Sequence, residues 1–217
     1  MSSGYDFSVS TYAPDGQIFQ VEYAKKAIEN APMSIAIKCK DGLVMGHMHL
    51  IQNQLVKYTT SSKVYGKNGV QQGSSIVSTI SQIKPITNHA IMGWSGIFAD
   101  GIAMLSDAKD IAHSFEDSYG TEIHGSALCD RLVWQSHQYI TYSHLRPYGC
   151  SSLIATKSYL GLLEPDANCF GYRAIACGKG NNFAITELEK LPSINMTCDI
   201  SVDDAIKKIC QMYCLLM

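Results

Sequence analysis

Helical periodicity opens the chain: Phe19, Tyr23 and Ala27 fall four apart, and Val21, Ala24 and Ile28 fill the adjoining rows of the same side. That spacing predicts an amphipathic helix over 18–30. Its outer positions Glu22, Lys25, Lys26 and Glu29 include a Glu22–Lys26 pair at favourable spacing, and Asn30 ahead of Pro32 is its stop. Just upstream, Pro14 presets φ for a reversal, and Asp15-Gly16 tolerates left-handed geometry, so the chain turns at 14–16. The period then changes to two. Residues 34–39 and 43–46 alternate around Lys40-Asp41-Gly42, which is a hairpin signal. From His47 to Asn88 Ser, Thr, Gln and Gly dominate, with Gly66-Lys67-Asn68-Gly69 and Gln71-Gln72-Gly73 as punctuation, and about 50–84 reads as an insertion or flexible loop.

Periodicity returns as a strand at 89–94, ending at Ser95-Gly96, and a helix at 98–119 with Ile102, Leu105, Ala112, Phe115 and Tyr119 on its buried side. A second long helix, 126–142, presents Leu128, Leu132, Gln135, Tyr139 and Tyr142 along one stripe, and Arg146-Pro147-Tyr148-Gly149 breaks the pattern. Residues 151–156, 159–163 and 173–177 read as strands, with loops at 164–166 and 168–171. A helix over 182–191 follows. Ser201 with Asp204 forms a capping-box start for a last helix whose Val202, Ile206, Ile209 and Tyr213 face inward. Strands, a helix pair, strands and helices, joined by hairpins and not crossovers, argue for an α/β protein of the α+β kind, with antiparallel sheets layered by helices in one domain over 1–217.

Composition narrows the function classes. With 217 residues and 46% hydrophobic content the chain can bury one substantial core. A net charge of −2 without a dense Lys/Arg cluster leaves nothing to track a phosphate backbone, so no nucleic-acid partner is expected. No apolar run reaches membrane-spanning length, and the opening residues lack the basic start and apolar core of a signal peptide. The expectation is a protein of cytoplasm and nucleus that does not engage membranes. Eight scattered cysteines in apolar surroundings read as reduced core residues; Cys210 and Cys214 sit one helical turn apart, but no CxxC completes a zinc site. The glycosylation pattern at Asn195-Met196-Thr197 has no meaning without secretion.

Catalytic patterns fall short. Gly93-Trp94-Ser95-Gly96-Ile97 misses the nucleophile-elbow spacing, and Gly178-Lys179-Gly180-Asn181-Asn182-Phe183 lacks the last glycine of a dinucleotide fingerprint. His47 and His49 could share a strand face and bind a metal, but without a third ligand they read as surface residues. Cys150 with His144 could pair as nucleophile and base, although Arg146-Pro147-Tyr148-Gly149 already explains that stretch as a turn. No cofactor and no metal is expected.

The wording of the opening stretch is more specific than its pattern. Tyr5-Asp6, then Ala13-Pro14-Asp15-Gly16, then the run Phe19-Gln20-Val21-Glu22-Tyr23-Ala24 closely resembles the amino-terminal signature of 20S proteasome alpha subunits. Further resemblances lie at Lys40-Asp41-Gly42, Phe98-Ala99-Asp100, residues 146–150 and residues 186–191. The phrase over 24–30, Cys150 and the 186–191 run point to the seventh position of the ring.

This resemblance implies a four-layer αββα sandwich of antiparallel sheets, the amino-terminal-nucleophile hydrolase fold, in a structural and gating subunit. Its implied partners are other alpha subunits in a seven-membered ring, beta-ring subunits, and the regulatory particle or activator tails. Tyr5, Asp6, Pro14 and Tyr23 match the cluster that orders the open gate, residues 1–11 its mobile tail, and Gly16 and Glu22 the turn that activators push. The related beta subunits carry a catalytic threonine where Pro32 stands here and a lysine where Gln82 stands, with Lys84 two residues on, so no catalytic residue is expected. The same Gln82 and Lys84 bring the activator pocket into question, since its lysine aligns there. Two rival readings are a working amino-terminal-nucleophile hydrolase and a free-standing scaffold. The 47–88 segment is longer than the resemblance leads one to expect, and the chain stops at Met217 where relatives continue.

Overall fold

A computed structural model describes residues 4–49, 64–66, 69–71, 81–191 and 200–216. In chain order the elements are α1 (Phe19–Glu29), β1 (Ser34–Lys38), β2 (Leu43–His47), β3 (Val64–Gly66), β4 (Gly69–Gln71), β5 (Ile83–Pro85), β6 (Ala90–Gly96), α2 (Phe98–Tyr119), α3 (Gly125–Thr141), β7 (Cys150–Thr156), β8 (Leu160–Leu163), β9 (Cys169–Gly171), β10 (Ala174–Cys177), α4 (Asn181–Glu189) and α5 (Val202–Leu216). The hairpin at Lys40-Asp41-Gly42 forms as expected: Ser34 stands opposite His47, and the Cys39 N–H donates to the Gly42 carbonyl at 2.8 Å. Most of the anticipated insertion at 50–84 lies outside the described residues. Those within it include the short antiparallel pair β3 and β4.

Two antiparallel sheets form the middle of the molecule, one ordered β10-β1-β2 and one ordered β5-β6-β7-β8-β9. Strand alternation sorts the core into three layers of contact. Ala90, Met92 and Trp94 of β6 pack with Met104, Leu105, Leu128 and Leu132 of α2 and α3. The alternate positions Ile91 and Leu153 meet Ala36 and Ile175 between the sheets. Ile35 and Ile37 of β1 pack with Ala184, Leu188, Ala205 and Ile209 of α4 and α5. Helices, sheet, sheet and helices make the αββα sandwich that the sequence led one to expect. Burying each such Leu or Ile contributes about 1.5–3 kcal/mol.

The helix termini follow local chemistry. Gly120 closes α2 in the left-handed region at φ 66, and its N–H donates to the Glu116 carbonyl. The Ser201 hydroxyl accepts from the Asp204 N–H at 3.2 Å and donates to the Asp204 carboxylate at 2.8 Å, so the Ser201 half of the capping box forms. Three expectations need correction. Tyr119 and Tyr142 are exposed, because the ring of Tyr119 stacks on Phe115 at 4.5 Å instead of entering the core, and α3 ends before Tyr142. In α5 the buried row is Ala205, Ile209 and Met212, while Ile206 faces outward. The supposed loop at 168–171 contains β9, whose Cys169, Phe170 and Gly171 pair with Leu163, Leu162 and Gly161.

Candidate functional site

The opening stretch folds as a turn followed by a helix, but with a different apolar face from that expected. The Gly16 N–H donates to the Ala13 carbonyl at 2.8 Å and the Ala13 N–H to the Gln17 carbonyl at 2.9 Å, with Gly16 at φ +83. A left-handed glycine after a tight turn is what this geometry requires. On α1 the buried residues are Val21, Ala24 and Ile28; Tyr23 is 51% exposed and stacks nearly parallel on Phe19, at 6.3 Å. The expected Glu22–Lys26 pair is replaced. Lys25 approaches Glu22 at 3.8 Å and Asp166, in the β8–β9 loop, at 3.4 Å, which places it between two carboxylates.

Residues 1–3 of the anticipated tail lie outside the described residues. Over 4–11, Val9 is only 3% exposed, and the Gln20 side-chain amide donates to the Asp6 carbonyl, which ties the segment to α1. Asp6 Oδ1 is buried without a partner. Tyr5, Pro14, Gly16, Glu22 and Tyr23 are all exposed, and among the described residues no hydrogen bond joins the side chains of Tyr5, Asp6 and Tyr23 to one another.

At the position where a hydrolase nucleophile would stand, Pro32 offers only a backbone carbonyl, which accepts from the Ser95 hydroxyl at 2.7 Å. Beside it, the Ser34 hydroxyl donates to the Trp94 carbonyl at 3.0 Å and lies 2.8 Å from His47 Nδ1. Because that hydroxyl proton is spent on Trp94, the hydrogen bond assigns the imidazole proton to Nδ1 and leaves Nε2 a buried lone pair without a partner. Burial, with a smaller contribution from His49, lowers the His47 pKa to about 4 and keeps the ring neutral. Gln82 is buried, its carbonyl accepts from the Trp94 N–H at 3.2 Å, and its Oε1 has no partner. Lys84 stands opposite Met92, its ammonium 5.8 Å from the centre of the Phe98 ring. Among the described residues no group of three His, Cys, Asp or Glu side chains is placed to hold a metal. Cys150 is fully buried and its thiol is pushed up to about 12, first by burial, so it is no nucleophile for His144 to activate.

The strongest polar constellation was missed in the sequence because its members lie far apart along the chain. Asp100, in the first turn of α2, accepts two bonds from Arg146, at 2.6 and 2.7 Å, and one from the Gly149 N–H at 2.8 Å. Burial pushes the Asp100 carboxyl up, but the Arg146 and Gly149 bonds outweigh it and hold the group below the usual carboxylate range. Tyr148 extends the corner by donating to Asp107 at 3.0 Å. The separate sequence words at Phe98-Ala99-Asp100 and Arg146-Pro147-Tyr148-Gly149 are two halves of one clamp.

Comparison with known proteins agrees with this architecture. Residues 64–213 match the model of the family described as proteasome subunit, and residues 5–27 match the N-terminal signature of A-type proteasome subunits. The chain therefore belongs to the proteasome subunit family. Its relatives include proteins named proteasome subunit alpha type-3. That of Dictyostelium discoideum is 33% identical over 213 residues, covering 96% of this chain and 77% of the relative. That of Arabidopsis thaliana is 33% identical over 217 residues, covering 98% and 80%. That of Drosophila melanogaster is 30% identical over 210 residues, covering 94% and 75%.

Proposed function

We propose that this chain is a non-catalytic structural and gating subunit of the outer ring of the 20S proteasome core. Its neighbours are other alpha subunits in a seven-membered ring, with beta-ring subunits on one face and the regulatory particle or activator tails on the other. It works in cytoplasm and nucleus, in ubiquitin-dependent and other proteasomal protein degradation. The observation that carries this reading is the opening unit: a closed turn at Ala13–Gly16 leads into α1, whose Tyr23 and Glu22 stay open to solvent while Val21, Ala24 and Ile28 anchor it. Pro32, which has no hydroxyl, and a neutral, half-buried His47 support the absence of hydrolytic chemistry. Native mass spectrometry of the complex from its source tests assembly, with a particle containing alpha and beta subunits expected. Covalent mapping with a proteasome-directed epoxyketone should label beta subunits alone, and an adduct on this chain would overturn the non-catalytic reading.

The activator pocket follows from the same reading. An activator tail ends in a carboxylate, and its strongest partner would be a cation. Here Gln82 offers a neutral, buried amide and Lys84 lies over Phe98, so this pocket holds such tails weakly. Crosslinking of a tail peptide should be weaker here than at a lysine-bearing pocket of the same ring. Equal crosslinking that is lost in Lys84→Ala would show that Lys84 has taken the role.

A further inference from the structure

Two glycines face one another across the outer pair of the five-stranded sheet, Gly161 on β8 and Gly171 on β9. Having no side chains, they leave a hollow on the side of the sheet that α3 covers. The Tyr159 ring lies over both: a Cβ at Gly161 would stand 2.8 Å from Tyr159 Cε1, and one at Gly171 would stand 3.1 Å from Cε2. Two sulfurs share the hollow. The same Cβ at Gly161 would stand 2.9 Å from Cys129 Sγ and 3.3 Å from Cys169 Sγ, so thiols from α3 and β9 meet over a residue with nothing to part them. The Tyr159 ring closes the same space, so the two sulfurs and the ring share one hollow. Both are free, and they differ in access: Cys129 is 1% exposed, whereas Cys169 is partly exposed on the edge strand.

We propose that Cys169 and Cys129 form a peroxide-responsive dithiol, with Cys169 reacting first and Cys129 resolving it into a disulfide that ties α3 to β9. The order follows from access, since Cys169 is partly exposed and Cys129 is buried. The neighbouring Cys129 and, after the opposing effect of burial, Tyr159 hold the Cys169 thiol below its ordinary value. Cys129 is held above its own, by its neighbour Cys169 first and then by burial. In the first step the Cys169 thiolate attacks a peroxide oxygen, the O–O bond breaks, and the departing hydroxide takes a proton and leaves as water. In the second step Cys129 Sγ attacks the sulfenic sulfur, the S–O bond breaks, and the hydroxide carries away the Cys129 proton as a second water. Two thiols lose two electrons and one peroxide gains them. The buried thiols of Cys150 and Cys177 are both pushed up to about 12, chiefly by burial, and do not compete as thiolates.

The test is peptide mapping of the full chain after exposure to hydrogen peroxide, with digestion under non-reducing conditions. The expected product is a Cys129–Cys169 linked peptide, lighter by about 2 Da than its two parts together and separated by a thiol reductant. In Cys129→Ser, dimedone should trap a sulfenic acid at Cys169 at several times the level in the parent. In Cys169→Ser, Cys129 should remain unmodified. Over-oxidation of Cys169 in the parent without a link to Cys129, or oxidation confined to the exposed Cys210 and Cys214, would overturn the proposal. The parent chain decides the matter even if either variant fails to fold.

Discussion

The Asp100 corner and the turn at Ala13–Gly16 are both short polar turns written in distinctive sequence words, yet they are held in opposite ways. In the corner, a carboxylate only 8% exposed collects three hydrogen bonds from Arg146 and Gly149, two of them a planar fork from a guanidinium. In the turn, two backbone bonds and a left-handed glycine hold exposed residues, and the segment before it is tied to α1 by the bond from the Gln20 amide to the Asp6 carbonyl. Loss of the first leaves buried groups unpaired, whereas loss of the second returns groups to water. The corner therefore fixes geometry, and the turn can be moved at a cost of a few hydrogen bonds of about 1 kcal/mol each.

The largest expected effect is at the corner. Asp100→Ala should lower the unfolding free energy of the full chain by about 3 kcal/mol, because the Gly149 N–H is left buried and unpaired and Arg146 loses its fork. Denaturant titration measures this, and a loss below about 1 kcal/mol would show that the corner is no firmer than the turn. The sign of its pH dependence is also set. The folded Asp100 pKa lies below the ordinary carboxylate value of 3.8, so the contribution is present above that value and is lost as pH falls through the folded pKa. Asp100→Asn should abolish that acid slope.

Next comes His47, half-buried on β2, whose Nδ1 lies 2.8 Å from the Ser34 hydroxyl that donates to the Trp94 carbonyl of β6. Its pKa falls from 6.5 to about 4 on folding, so the unfolded chain binds more protons between those values. Stability is then full above pH 6.5 and declines as pH falls towards 4, by at most about 3 kcal/mol, and His47→Gln should flatten the decline. Thermal midpoints measured across this range check it.

Gly101→Ala probes the packing under the corner, since its Cβ would stand 2.2 Å from Nε1 of the fully buried Trp94 indole. A destabilisation of about 1–3 kcal/mol is expected, whereas Gly16, with nothing within 4 Å, should respond only to its backbone angle. Denaturant midpoints of the two alanine variants separate these cases.

The smallest effect in energy bears most on function. In the assembled particle, deleting residues 1–9 should raise basal peptide hydrolysis by the unactivated core, in part only, because other tails also close the pore. Asp6→Ala and Tyr23→Phe should leave that core latent and blunt activator-stimulated opening. If the deletion left basal turnover unchanged and both variants were stimulated as fully as the parent, the turn would be no more than a helix start.

What could be read from the residues was local. The ends of α2, the Lys40-Asp41-Gly42 hairpin and the Ser201 capping box depend on neighbours within a few positions, and each lies where the pattern puts it. Antiparallel sheets layered with helices were legible because hairpin links and helix pairs leave few alternatives, whereas the four-layer order was implied by the family resemblance. Tyr23 misled because an aromatic at helical spacing looks like core, although it stacks outside on Phe19. The strand β9 was hidden among Asn168 and Gly171, residues that signal loops, and it exists because β8 offers an edge to pair with. The Asp100–Arg146 clamp and the Cys129–Cys169 hollow could not be read at all, since each joins residues that only the folded sheet brings together. The roles of Tyr5, Asp6, Pro14, Gly16 and Glu22 rest on sequence resemblance, because a gate is a property of neighbouring chains.

The strand order has a bearing on how the molecule is made. The five-stranded sheet and its covering helices α2 and α3 come from one unbroken stretch, 83–171, so that half can assemble as it leaves the ribosome. In the other sheet, β1 sits between β2 and β10, and Ile35 finds its second partner, Ala176, only after the whole five-stranded half has been made. Closing so long a loop delays that sheet and leaves Ile35 and Ile37 without α4 and α5 in the meantime. The nascent chain therefore carries a finished half and a waiting hairpin, and the apolar face of β1 is the surface that a chaperone would have to shield.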